Sequence, residues 1–149
     1  DTVDKLTTNL RSTSDTVIVK DVMRGGIFIY NESKSTVNDG GVIFNGWVRQ
    51  YDGALNALWF GAIGNGVADD TEALQKALFH TTGWNGNDYN LDNSVSKILY
   101  IPRGTYRITD SLKITQMQYI IGDGYGSGHS KSTEILCDFT NISPPTDNY

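Results

Sequence analysis

Residues 59–78, WFGAIGNGVADDTEALQKAL, constrain this chain more than any other stretch. Residues 57–62 read as a short apolar strand. Gly64-Asn65-Gly66 reads as a turn, since Gly and Asn accept positive φ, and Asp69-Asp70-Thr71 opens a helix. Asp69 or Asp70 is placed to act as N-cap, its carboxylate accepting a backbone N–H, an interaction whose loss costs about 1 kcal/mol. Glu72 stands in the first turn, where the helix dipole favours negative charge. Ala73, Leu74, Ala77 and Leu78 share one face, extended by Phe79. That stripe is too narrow for a helix buried all round, so the helix lies against another element.

What surrounds this segment is short-strand sequence. The chain has 149 residues, 38% of them hydrophobic and 16 of them glycine, which favours many short strands joined by turns. Residues 16–51 carry three strand-like runs, at residues 16–23, 27–30 and 42–51, the last broken at Gly46 and preceded by the turn Asn38-Asp39-Gly40-Gly41. Their spacing predicts a small antiparallel sheet. Ahead of it, residues 1–16 are polar, with Val3, Leu6 and Leu10 at helical spacing. Such a stem is marginal alone and would persist by packing against identical copies; a frayed terminus is the plainer reading. Residues 97–137 read as further strands separated by uneven turns, the pattern of coils before a solenoid becomes regular.

Charge and cysteine usage exclude several classes. Twelve basic against seventeen acidic residues give a net charge of −5 without a basic stripe, so nucleic acid is not an expected partner. No apolar run is long enough for a transmembrane helix, so no membrane insertion is expected. Cys137 is the single cysteine and, within TEILCDF, reads as a small buried apolar residue. The chain starts on Asp and shows no signal-peptide pattern, which reads as a piece of a larger protein.

The candidates for chemistry are few. The loop at residues 80–96 holds Trp84 and Tyr89, whose ring faces suit stacking on a pyranose or packing at an interface. Residues 122–128, GDGYGSG, lack the Gly-Lys-Ser/Thr of a phosphate loop and read as a turn. His80, His129 and one cysteine do not make a zinc site. Asp69 and Asp70 are adjacent carboxylates, but side chains of neighbouring helix-start residues diverge, which suits a cap better than paired acid–base catalysis. No catalytic residue, metal or cofactor is assigned.

The segment FGAIGNGVADDTEALQKAL resembles the motif that opens β-helix proteins of the pectate-lyase-like superfamily. Its structural positions are Phe60, Gly61, Gly64, Gly66, Asp69, Asp70, Thr71, Leu74 and Leu78, with Trp59 just ahead of it; Asn65 stands where the family usually has Asp. Residues 98–108, with Pro102, Gly104 and Tyr106, are similar to the next family motif, and residues 120–124 with Gly122 and Gly124, followed by 132–135, to a third. The resemblance implies a mainly β protein, with a small β-rich domain ahead of the helix-capped start of a right-handed parallel β-helix. Residues 1–16 would be a stem or linker, 17–56 a particle-anchoring domain, and 57–149 the capping helix and first coils.

Residues 24–51 look like sequence preceding the β-helix in tailspikes and tail fibres of tailed bacteriophages. That likeness implies a virion location in the phage tail, a homotrimer, and contacts with other tail or baseplate proteins. It also implies a complete protein that degrades host capsule or O-antigen polysaccharide, with its catalytic carboxylates beyond this chain. The alternatives are a fragment that itself binds or cleaves glycan, and part of a non-viral pectinase-like enzyme.

Overall fold

The computed structural model describes residues 2–7, 15–82, 98–114, 119–124 and 132–139. Among the described residues, ten short strands and one α-helix form two bodies of core. The first is built on a four-stranded antiparallel sheet of β1 (Thr16–Val19), β2 (Gly26–Tyr30), β3 (Ile43–Phe44) and β4 (Trp47–Gln50), in the order β1-β2-β4-β3. Asn45 and Gly46, both at positive φ, turn β3 into β4, the conformation that matches strand twist in a two-residue hairpin. Alternation buries Val19, Phe28, Phe44 and Trp47 on one face. A 3-10 turn at Val3–Thr7 places Val3 and Leu6 in that same cluster. The expected apolar spacing at the start of the chain is therefore used inside the chain itself, and Leu10 lies outside the described residues.

The second body is a stack of parallel strands. Strands β5 (Leu55–Asn56), β7 (Ile98–Ile101) and β9 (Tyr119–Gly122) form one sheet; β6 (Asn65–Asp69), β8 (Gly104–Ile108) and β10 (Thr133–Cys137) form the other. Each pair β5/β6, β7/β8 and β9/β10 is one coil, and Leu55 sits beside Leu99, which sits beside Ile120. This is the start of a parallel β-helix, as expected. Helix α1 (Thr71–Thr82) joins the first coil to the second. It buries Leu74, Ala77 and Leu78 against Leu55, Phe60, Leu99, Ile101, Tyr106 and Ile108.

Local expectations needed correction at several points. Residues 57–62 are not a strand. Asn56 accepts a hydrogen bond from the Leu58 amide and starts a 3-10 turn at Ala57–Phe60, which ends at Gly61. The strand lies later, at Asn65–Asp69, where a turn into the helix was expected. Asn65 Oδ1 accepts from the amides of Val67 and Ala68, so the turn residue is folded into an irregular strand beside β8. The run at 16–23 stops at Val19, because Asp21 accepts from the amides of Met23 and Arg24 and bends the chain. Residues 111–114 join no ladder; Gln75 instead brackets Lys113 by donating to its carbonyl and accepting from its amide. Cys137 is exposed, not buried; among the described residues β10 pairs only with β8, and Ile135 and Leu136 beside it are exposed as well.

Between the two sheets the coils turn at a stacked corner. Thr105 N–H donates to Gly64 O, and Gly104 N–H donates to Ser132 O, so three successive coils are tied at one edge. Gly104 has φ +150°, and a Cβ there would stand 2.7 Å from Gly64 O. Gly104→Ala is expected to lose about 2–3 kcal/mol, from backbone strain alone. Gly124→Ala, which meets nothing within 4 Å, should leave denaturant stability nearly unchanged. Equal unfolding midpoints for the two variants would show that the corner tolerates a side chain.

Candidate functional site

The residues singled out around α1 divide into two roles. Asp70 is buried, and its carbonyl accepts the first helical hydrogen bond, from Leu74. Its carboxylate does not cap the helix; it turns back and accepts from the amides of Ile63 (2.7 Å) and Gly64 (3.1 Å). Asp69 does the capping. Its Oδ1 accepts from the Thr71 amide and hydroxyl, and its Oδ2 accepts from the Thr109 hydroxyl at 2.6 Å. Those hydrogen bonds, the Thr109 hydroxyl first, hold the Asp69 carboxyl down to about 2. Thr71 Oγ1 in turn accepts from the Thr109 amide, fastening the helix start to the end of β8.

Asp70→Asn replaces an acceptor facing two amides with a group that is half donor. It is expected to cost about 1–3 kcal/mol, the penalty for an ill-matched buried hydrogen-bonding group. Asp69→Asn, at the surface, should cost less. A larger shift in urea midpoint for Asp69→Asn than for Asp70→Asn would reverse these assignments.

A cleft of about 690 Å³ runs between the outer side of α1 and residues 109–113. Asp69, Glu72, Lys76, Asp110 and Lys113 line it, with Phe79 at its apolar end. Its chemistry is already committed. Asp69 is held by the two threonines, Glu72 pairs with Lys76 at 2.6 Å, and both carboxylates titrate below their ordinary range. A general acid needs the opposite displacement, so neither Asp69 nor Glu72 is set up to donate a proton. The adjacency of Asp69 and Asp70 likewise yields no catalytic pair, since one faces Thr109 and the other Ile63 and Gly64.

Several of the other expected positions pack or hydrogen-bond within the fold. Tyr106 is fully buried, donates to Pro102 O, and is pushed up to about 12 by burial and the nearby Asp70 charge. Gly64 packs its backbone on the Tyr106 ring. Asp123, between Gly122 and Gly124, accepts from Tyr100 Oη (2.9 Å) and from the Arg103 amide (2.7 Å), which binds the third coil to the second. Gly122 leaves no room for a side chain beside Thr133. Trp59 stacks edge-on to Tyr51, and Phe60 is buried over His80. Trp84, Tyr89 and His129 lie outside the described residues. Among the described residues no cluster of His, Cys, Asp and Glu has the makings of a metal site.

What sequence reasoning missed is the joint between the two bodies. Arg49 is 3% exposed. Its guanidinium lies 4.6 Å from the Phe28 ring centroid and 4.5 Å from that of Trp59. It donates to Gly41 O (3.0 Å), Gly25 O (2.6 Å) and Arg24 O (2.6 Å). Arg24 donates to Gly40 O and Trp59 O. Asp39 Oδ1 accepts from the amides of Gly41, Val42 and Ile43, while its Oδ2 stands 3.1 Å from His80 Nδ1 at the end of α1. Burial works to raise the Asp39 pKa, but His80 and the amides outweigh it and the net displacement is downward. Arg49 is a charged residue within the strand-like run Trp47-Val48-Arg49-Gln50, so nothing in the pattern marks it as buried.

The comparisons agree with this geometry. A family model described as rhamnogalacturonase A/epimerase, pectate lyase-like, matches residues 54–142. The fold is similar to the tailspike protein of Acinetobacter phage vB_ApiP_P1, with TM-score 0.67, 21% identity, and coverage of 90% of this chain and 23% of that one. It is also similar to the tailspike protein of Acinetobacter baumannii phage AM24, with TM-score 0.52, 21% identity, and 71% and 17% coverage. A third likeness is to Pantoea stewartii WceF, a glycan biofilm modifying enzyme with a tailspike-like parallel β-helix fold. It has TM-score 0.51, 25% identity, and 78% and 17% coverage. The chain thus spans about a quarter or less of these structures. No curated protein matches it.

Proposed function

The chain belongs to the rhamnogalacturonase A/epimerase, pectate lyase-like family, and we propose that it is the virion-attachment and trimerisation part of a phage tailspike. In this reading the N-terminal sheet faces the particle and other tail or baseplate proteins. The first coils template a β-helix whose later coils recognise and degrade host surface polysaccharide, by hydrolysis or by lyase chemistry. The observation that carries it is the joint: Arg49 and Arg24 fix the sheet to the Trp59 turn, ahead of the first coil. A glycan-cleaving role for the chain itself is less well supported, since Asp69, Glu72 and Asp70 are each engaged within the fold.

Reducing-end or unsaturated-product assays on capsular or O-antigen polysaccharide separate the two. The purified chain is expected to release no product, while antibody raised against it labels the tail of intact particles. Turnover abolished by Asp69→Asn or Asp70→Asn would overturn the attachment reading in favour of a catalytic one.

A further inference from the structure

In an Asp-Gly pair the glycine amide nitrogen can close on the aspartate carboxyl, because glycine has no Cβ to shield that nitrogen and leaves the backbone free to turn. Among the described residues the chain has the pairs Asp39-Gly40, Asp52-Gly53 and Asp123-Gly124. Their intrinsic chemistry is the same, so the fold decides which of them can react. Closure needs a carboxyl able to swing onto the following amide. Asp39 is pinned, its Oδ1 accepting from the amides of Gly41, Val42 and Ile43 and its Oδ2 lying 3.1 Å from His80 Nδ1. Asp123 accepts from Tyr100 Oη and the Arg103 amide, and its own amide donates to Thr133 Oγ1. The two Asn-Gly pairs are held as well. Asn65 Oδ1 accepts from Val67 and Ala68, and Asn45-Gly46 closes the hairpin between the paired Phe44 and Trp47.

Asp52 is the exception. It is exposed, between β4 and β5, and among the described residues no hydrogen bond or ion pair holds its carboxylate. Gly53 has φ +79°, and a Cβ there would meet nothing within 4 Å. We infer that Asp52 is a site of spontaneous isomerisation to isoaspartate. The Gly53 nitrogen bonds to Asp52 Cγ, the bond from Cγ to its hydroxyl breaks, and the hydroxyl leaves with the amide proton as water. The cyclic imide then takes up water at its main-chain carbonyl, which severs the original peptide bond to Gly53 and frees that carbonyl as a carboxylate. The water lost in the first step is regained in the second, so the formula is unchanged and no other reactant enters. The backbone thereafter runs through Cβ and Cγ, one atom longer, inside the passage at residues 51–54 that joins the antiparallel sheet to the coil stack.

The test is isoaspartate-specific methyl labelling with peptide mapping, after long incubation of the chain in mildly acidic buffer, once folded and once in urea. Asp52→Glu is the control, since the longer side chain must close a larger ring and does so far more slowly; circular dichroism checks that it is folded. In the folded chain label is expected at position 52 severalfold ahead of positions 39 and 123. In urea the three positions should label comparably, and the control should carry no label at position 52. Equal labelling of the three positions in the folded chain would show that the contacts of Asp39 and Asp123 do not select, and would overturn the assignment. Absence of label at position 52 in the folded chain would overturn it too, by showing that the passage is held as firmly as the other two turns.

Discussion

Leu74→Asp is expected to abolish folding of the chain. Leu74 is fully buried, on the face of α1 that meets Leu55, Leu99 and Tyr106 across the end of the coil stack. Removing the leucine side chain alone costs about 2–5 kcal/mol, through lost transfer energy and the cavity left behind. A carboxylate in that place adds the penalty of an unpaired buried charge, or of protonation to avoid it. Together these consume most of the roughly 5–15 kcal/mol that stabilises an ordinary domain. The measurement is soluble yield and thermal melting by circular dichroism, with Leu74→Ala as the graded comparison. Asp in place of Leu should aggregate, and Ala should melt lower but cooperatively. A melting temperature unchanged by Leu74→Asp would mean that α1 covers nothing.

Arg49→Met should be the most damaging substitution outside the β-helix core. Methionine keeps much of the volume between Phe28 and Trp59 and removes the donors. Gly41 O, Gly25 O and Arg24 O lose the guanidinium together, and each buried acceptor left unmet costs about 1–3 kcal/mol where water does not replace the donor. A net loss of about 3 kcal/mol is expected on that basis. Burial, with Arg24 close by, lowers the Arg49 pKa to about 10. The cation therefore persists at neutral pH, at a desolvation cost that the three carbonyls and two rings offset. Arg49→Lys should fare little better, since an ammonium cannot reproduce the planar fork that reaches three carbonyls and lies flat between rings. Urea unfolding followed by tryptophan fluorescence reads the effect, because Trp47 and Trp59 sit on opposite sides of the joint. Wild type should unfold in one transition and Arg49→Met in two. Wild-type behaviour from Arg49→Lys would show that charge alone holds the joint.

These two positions also mark how far the sequence could be read. Leu74 and Leu78 announce themselves by 3.6-residue periodicity, and the strands at 98–101 and 104–108 by β-branched and aromatic runs parted by Pro102-Arg103-Gly104. Local pattern and burial agree there. The parallel pairing of β5 with β7 and of β6 with β8 leaves no local trace, because the partners lie some forty residues apart and meet only through the fold; the family motifs supplied it. Near Asn56 the periodic reading failed because a side-chain carbonyl satisfied a nearby amide and bent the backbone where apolar residues suggested a straight run. At Asn65 it failed the other way, since the expected turn, its Oδ1 accepting from Val67 and Ala68, is folded into β6. Arg49 was hidden because, among the described residues, it lies on carbonyls and rings with no carboxylate paired to it whose presence might have flagged it. Asp69 and Asp70 were legible as a pair at a helix start, but only geometry separates the cap from the tie to Ile63 and Gly64.

The short passage from β4 to β5 has a mechanical consequence. Only residues 51–54 separate the last strand of the antiparallel sheet from the first of the stack, and Arg24 and Arg49 bridge the bodies around it. A load applied to the sheet has no slack tether to stretch before it reaches the coils. It passes through the arginine bridges and the Trp59 turn as a stiff coupling, so tilt or torque at one end is delivered to the axis of the stack. Pulled from its N-terminal end, the molecule would behave as a strut that yields at the bridges first, and not as a bead on a string.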